Sequence, residues 1–150
     1  LPIETTAVPS SAAWLGGLGA VPFIALAGAM PLLDGATRPG VAYALLAYGA
    51  TILSFLGGIH WGLAISPAGS PDTTRRAARM ILSVTPSLVA WVALLVAGNT
   101  GLLLLAIAVA AMLAIDLRAT RLGDAPPWYP KLRIPLSCVV VASLLVGALL

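Results

Sequence analysis

Polar and apolar positions separate into long blocks along this chain. Five apolar runs stand out, Ala12 to Leu33, Val41 to Ala64, Met80 to Ala97, Leu102 to Leu117 and Ile134 to Leu150, each bounded by Gly, Pro or charge. Each approaches the roughly 20 residues that carry an α-helix across a bilayer at about 1.5 Å per residue. The runs lack the two-residue alternation of a barrel strand, and a helix satisfies its own backbone polar groups where no water can. The pattern predicts an all-α membrane protein, a bundle of five transmembrane helices. Residues 1–11 form an N-terminal arm and 12–150 a single helical domain.

The breaks between runs refine this picture. Gly98-Asn99-Thr100-Gly101 predicts a tight antiparallel hairpin between the third and fourth helices. The longest connection, Asp116 to Arg133, contains Pro126-Pro127-Trp128-Tyr129-Pro130 and is expected to lie along the headgroups without regular structure. Pro22 and Pro86 fall inside the first and third runs, where each removes a backbone donor, so both helices are expected to bend. Pro86 frees the Leu82 carbonyl, and Ser83, Thr85 and Ser87 supply hydroxyls that can re-satisfy it.

Composition removes a soluble alternative. Hydrophobic residues make up 60% of the chain and charged ones 9%, against about 45–50% and about 25% in soluble domains. Eight Lys and Arg, five Asp and Glu and one His cannot coat the exterior of a 150-residue soluble fold. The net charge of +3 and pI near 9.6 would suggest nucleic acid in a soluble protein. Here the basic residues sit in short connections and read as topology signals and lipid-headgroup contacts, with no nucleic-acid partner. Cys138, the single cysteine, excludes an internal disulfide or multi-cysteine metal site and reads as a buried packing residue. The opening Leu1-Pro2-Ile3-Glu4 to Pro9-Ser10-Ser11 has neither a basic n-region nor a cleavage-like site, so the first helix is expected to act as the targeting signal.

Charge also orients the bundle. Arg75, Arg76, Arg79, Arg118, Arg121, Lys131 and Arg133, seven of the eight basic residues, follow the second and fourth runs, and only Arg38 lies on the opposite side. The positive-inside rule then predicts N-terminus inside and C-terminus outside. Trp14, Trp61, Trp128 and Tyr129 fall near the inner interface and Tyr43 near the outer one, as amphipathic aromatic anchors do.

Candidate chemistry is sparse. Gly57, Gly58 and Gly62 at the inner end of the second helix, with Gly16, Gly17 and Gly19 at the start of the first, are small-residue patches at matching depth. They predict close packing of those two helices. His60, the sole histidine, can cap, donate to a quinone carbonyl or ligate a haem. A haem would usually need a second axial residue; no other His exists, although Met30, Met80 and Met112 do, and depth argues against Met30 near the outer side. Asp116 is the one acid embedded in a run and is costly there without a partner. Arg79 lies 19 residues before Gly98 and Asp116 15 after Gly101. Their depths therefore differ by about 6 Å, which predicts an Asp116–Arg79 ion pair, open to His60 or Arg118. No Gly-rich phosphate loop, metal-ligand cluster or nucleophile triad can be assembled.

The segments Trp14-Leu15-Gly16-Gly17-Leu18-Gly19-Ala20-Val21-Pro22-Phe23, Gly57-Gly58-Ile59-His60-Trp61-Gly62, Pro86 to Trp91 and Trp128-Tyr129-Pro130-Lys131-Leu132-Arg133 resemble small bacterial proteins related to eukaryotic transmembrane protein sixty-nine. That family has no established function, and the resemblance implies a bacterial inner membrane, or the mitochondrial inner membrane as the alternative. It implies no reaction. The expected role is a non-catalytic accessory or assembly subunit of a respiratory or photosynthetic inner-membrane complex, with other integral membrane subunits and lipids as partners. The alternative is a binding protein for a quinone, lipid or haem, centred on His60, Trp61 and Arg79. A membrane enzyme would have to use His60 with Asp116 as its acid–base pair.

Overall fold

A computed structural model describes residues 6–66 and 72–150; the first five residues of the expected N-terminal arm lie outside the described residues. Five helices are present: α1 Ser10–Ala29, α2 Arg38–Ile65, α3 Thr73–Val96, α4 Gly98–Arg121 and α5 Tyr129–Leu149. All five are long and apolar enough to cross a membrane, and no strand occurs among the described residues. α2 borders all four other helices, and α5 lies against α1 and α4. α2, α4 and α5 are the most buried, while α1 and α3 present most of their surface outward.

Because lipid tails are as apolar as leucine, packing rather than exclusion from water joins such helices. Leu45, Leu46, Leu53, Leu102, Leu105 and Leu144 form the fully buried centre. Phe23 of α1 stacks obliquely on Tyr48 of α2 at 4.9 Å, and the Tyr48 hydroxyl donates to the Gly19 carbonyl at 2.9 Å.

Helix ends differ from the apolar runs in instructive ways. α3 begins at Thr73, two turns before Met80, because the Asp72 side chain accepts from the Thr74 and Arg75 amides and caps the first turn. The apolar run marks the hydrocarbon-embedded stretch, and the charged turns that precede it are equally helical. α4 likewise continues through Arg121 and α5 starts at Tyr129 with Pro130 in its first turn. The connection expected to be irregular from Asp116 to Arg133 therefore shrinks to residues 122–128. Its start is a Schellman turn: Gly123, at φ 77°, donates to the Thr120 carbonyl and Asp124 to that of Ala119.

The α3–α4 hairpin is as tight as expected, but its turn lies earlier. Ala97 (φ 49°) and Gly98 (φ 54°) reverse the chain, and Asn99 to Gly101 already belong to α4. α1 runs into a short 3-10 turn, Met30–Leu32, and the Thr37 amide donates to the Asp34 carboxylate at 2.8 Å before α2 begins. That bond holds the Asp34 carboxyl below the usual carboxylate range. Pro22 and Pro86 sit within unbroken helices. Of the hydroxyls near Pro86, Thr85 donates to the Ile81 carbonyl and Ser83 to that of Met80, neither to Leu82.

Candidate functional site

The polar residues of this chain are concentrated where α2, α4 and α5 meet at the basic end of the bundle. His60 stands near the end of α2, Asp116 near the end of α4 and Arg133 one turn into α5. Antiparallel connections bring these three positions to one level. His60 Nε2 lies 2.8 Å from Asp116 Oδ1, and Arg133 Nε donates to Asp116 Oδ2 at 2.6 Å. His60 and Asp116 are each 1% exposed and Arg133 6%. A buried carboxylate with both oxygens accepting is compensated, and removing either donor would strand charge in a low-dielectric interior.

The predicted Asp116–Arg79 pair does not form. Arg79 pairs instead with Asp124, which the Schellman turn after α4 carries across to the start of α3. Along the hairpin alone, Asp116 and Arg79 are neighbours in depth. In the bundle, however, the inner face of α4 at Asp116 looks toward α2 and α5. Of the partners expected for Asp116, His60 is present. Arg133, which lies before the fifth apolar run, carries in the sequence only the reading of a topology signal and lipid-headgroup contact. The available clue was helical spacing: Tyr129, Arg133 and Ser137 recur every four residues, one face of a helix that starts at Tyr129.

The cluster is incompletely satisfied. His60 Nδ1, Arg133 Nη2, the Tyr129 hydroxyl and Ser137 Oγ are buried without a protein partner. Buried polar atoms are normally hydrogen-bonded, so four orphans around one cluster mark its chemistry as open to a further group. Tyr129 rests on Ala119 and Ala125 beneath the α4–α5 connection, edge-on to Trp128 at 6.0 Å.

The glycine patches pack differently from the expectation. A Cβ at Gly16 would stand 2.8 Å from Leu136 of α5, and one at Gly57 would collide with the Ser83 carbonyl of α3. The two patches thus receive α5 and α3, not each other. Gly17, Gly58 and Gly62 have nothing within 4 Å of a Cβ position and lie on the outer surface, the latter two beside exposed Trp61. Cys138 is also exposed, which corrects its expected burial. Its neighbour Ser137 takes the inward position, and one residue further around the helix faces out. At His60, Nε2 is turned to Asp116, which leaves Nδ1 as the one ring nitrogen without a protein partner.

Comparison with known proteins gives family but no activity. The chain matches the family described as "Protein of unknown function (DUF3429)" over residues 8–149. It is 39% identical over 148 residues to Transmembrane protein 69 of Xenopus tropicalis, covering 95% of this chain and 54% of that protein. The corresponding protein of Mus musculus is 32% identical over 148 residues, covering 95% and 57%. The chain thus spans about half the length of the curated relatives it matches, and no solved structure matches it. Five helices long and apolar enough to cross a membrane, with this match along nearly the whole chain, identify a multi-pass membrane protein that belongs to the DUF3429 family.

Proposed function

We propose that the protein is a non-catalytic accessory or assembly subunit of a larger inner-membrane complex in respiratory or photosynthetic electron transport. The observation that carries this reading is the outward face of α2, where Phe55, Gly58, Trp61, Gly62 and Ile65 are exposed. Gly58 and Gly62 lie one helical turn apart with open space above them, the arrangement that lets another transmembrane helix approach closely. Meanwhile the acid inside the bundle has both oxygens engaged by side chains that join α2, α4 and α5. That favours a structural lock over acid–base turnover.

The test is affinity recovery in mild detergent followed by mass spectrometry. The same set of integral membrane subunits should accompany the wild-type chain and be lost from the Gly58→Leu, Gly62→Leu double variant. Repeated recovery as a lone monomer overturns the reading. The basic residues at one end support an N-inside orientation in a bacterial inner membrane, with the mitochondrial inner membrane as the alternative. In a Cys138→Ser background, Arg76→Cys and Arg121→Cys should label from the same, cytoplasmic side. Labelling from opposite leaflets would refute the topology. The competing ligand reading around His60, Trp61 and Arg79 is weakened, because His60 Nε2 and Arg79 face Asp116 and Asp124.

A further inference from the structure

A groove of about 420 Å³ lies between α1, α2 and α5; Arg133 lines it and Asp116 does not. Its walls are apolar, with Leu15 and Gly19 from α1, Ile59 from α2 and Val140 from α5. Two polar residues line it, Tyr129 and Arg133, both at the basic end. They are 7% and 6% exposed, and each keeps a polar atom without a partner, the phenol oxygen and Nη2, buried behind the groove wall and reached from the groove only when its side chain turns. From Tyr129 to Val140 is 11 residues of α5, or about 16 Å, close to half of the roughly 30 Å hydrocarbon core. The groove therefore runs from headgroup level to about mid-membrane, the depth of one leaflet.

The chemistry of the two open groups selects the head of an occupant. Nη2 of a guanidinium only donates and a phenol readily does, so the head must offer an acceptor oxygen. The guanidinium charge is already balanced by the Asp116 carboxylate; a second anion buried there would lack a counter-charge, which disfavours an anionic head. Trp128 and Tyr129 line the same end, where aromatic side chains suit a flat ring. The volume falls within the range of small-molecule sites, and an apolar lining with a few placed donors is their usual construction. We infer that the groove binds a neutral amphiphile with a carbonyl oxygen at its head and an apolar tail, of the isoprenoid-quinone class, with Arg133 Nη2 and the Tyr129 hydroxyl donating to that carbonyl. This site goes beyond the assembly reading and does not depend on it.

The test uses the full chain purified in detergent and native mass spectrometry, with decyl-ubiquinone and phosphatidylglycerol as separate probes. The wild type should take up one decyl-ubiquinone saturably. Tyr129→Phe, which keeps the ring and removes one donor, should weaken uptake about tenfold. Gly19→Leu, which adds bulk at a position lining the groove, should abolish it, and Gly28→Leu, at an open position outside the groove, should leave it unchanged. Circular dichroism and thermal unfolding verify that each variant is folded. If Gly19→Leu does not fold, Leu15→Trp takes its place, at a position 72% exposed. Equal uptake by every folded variant would mean partition into the micelle and overturn the site. Saturable uptake of phosphatidylglycerol alone would replace the quinone with an anionic lipid and overturn the charge argument.

Discussion

At one end of the bundle, α2, α4 and α5 meet on a buried His60–Asp116–Arg133 cluster, and α3 is tied to the α4–α5 connection by Arg79 and Asp124. At the other end the same helices are held mainly by backbone shape. α3 reverses into α4 within Ala97 and Gly98, and a Cβ at Gly101 would stand 2.5 Å from the Ala93 carbonyl. Arg38 there donates only to backbone carbonyls, those of Leu33 at 2.9 Å and Leu150 at 3.3 Å. Ionised side chains thus join helices far apart in sequence at one end, and a steric turn joins neighbours at the other. The ionic end carries the larger energetic consequence, because losing one partner strands a charge, whereas altering a turn only shifts local conformational preference.

The sharpest way to break this contrast is Asp116→Ala. It leaves His60 and Arg133 buried and unmatched and should destabilise the fold by about 3–5 kcal/mol, read as a lowered unfolding temperature in detergent. A cost no greater than that of Arg79→Ala would remove the distinction between the buried cluster and its neighbour. Next comes Gly57→Ala, which drives a methyl group into the Ser83 carbonyl. Backbone cannot swing aside like a side chain, so about 1–3 kcal/mol should be lost, with α2–α3 disulfide cross-linking efficiency falling in parallel. Arg79→Ala should cost about 1–2 kcal/mol, since its pair with Asp124 retains some exposure, 12% and 5% for the two side chains.

The turn end should respond in the opposite sense. Ala97 adopts a positive φ that a side chain disfavours, so Ala97→Gly should stabilise the hairpin by up to about 1 kcal/mol, measured by thermal unfolding. The smallest effect is expected at Asp34. Its folded-state pKa lies below the ordinary value because the Thr37 amide donates to it. This contribution is present above the unfolded pKa and lost as pH falls through the lower, folded one. The protection of the Thr37 amide from hydrogen exchange, taken relative to the intrinsic rate at each pH, should fall on acidification below the carboxylate range and stay constant there in Asp34→Asn.

Five apolar blocks separated by basic turns leave a chain no option but lipid-crossing helices, so span number and the clustering of Arg75, Arg76, Arg118 and Arg121 at one end were legible from residue order. Capping and turn geometry extended those blocks: Asp72 drew the charged turns of α3 into the helix, and Pro130 opened α5 at Tyr129. The partner of Asp116 was not legible, because any of several basic residues at similar depth satisfies its charge. Only the rotation of α4 about its own axis, set by how Leu105, Val109 and Met112 pack against the neighbouring helices, chooses among them. That same rotation brings Asp116 to Arg133, which also lines an apolar groove. Hydropathy is a sum along one chain and reports burial in lipid; the pairing of charges depends on angles between helices, which no single segment encodes.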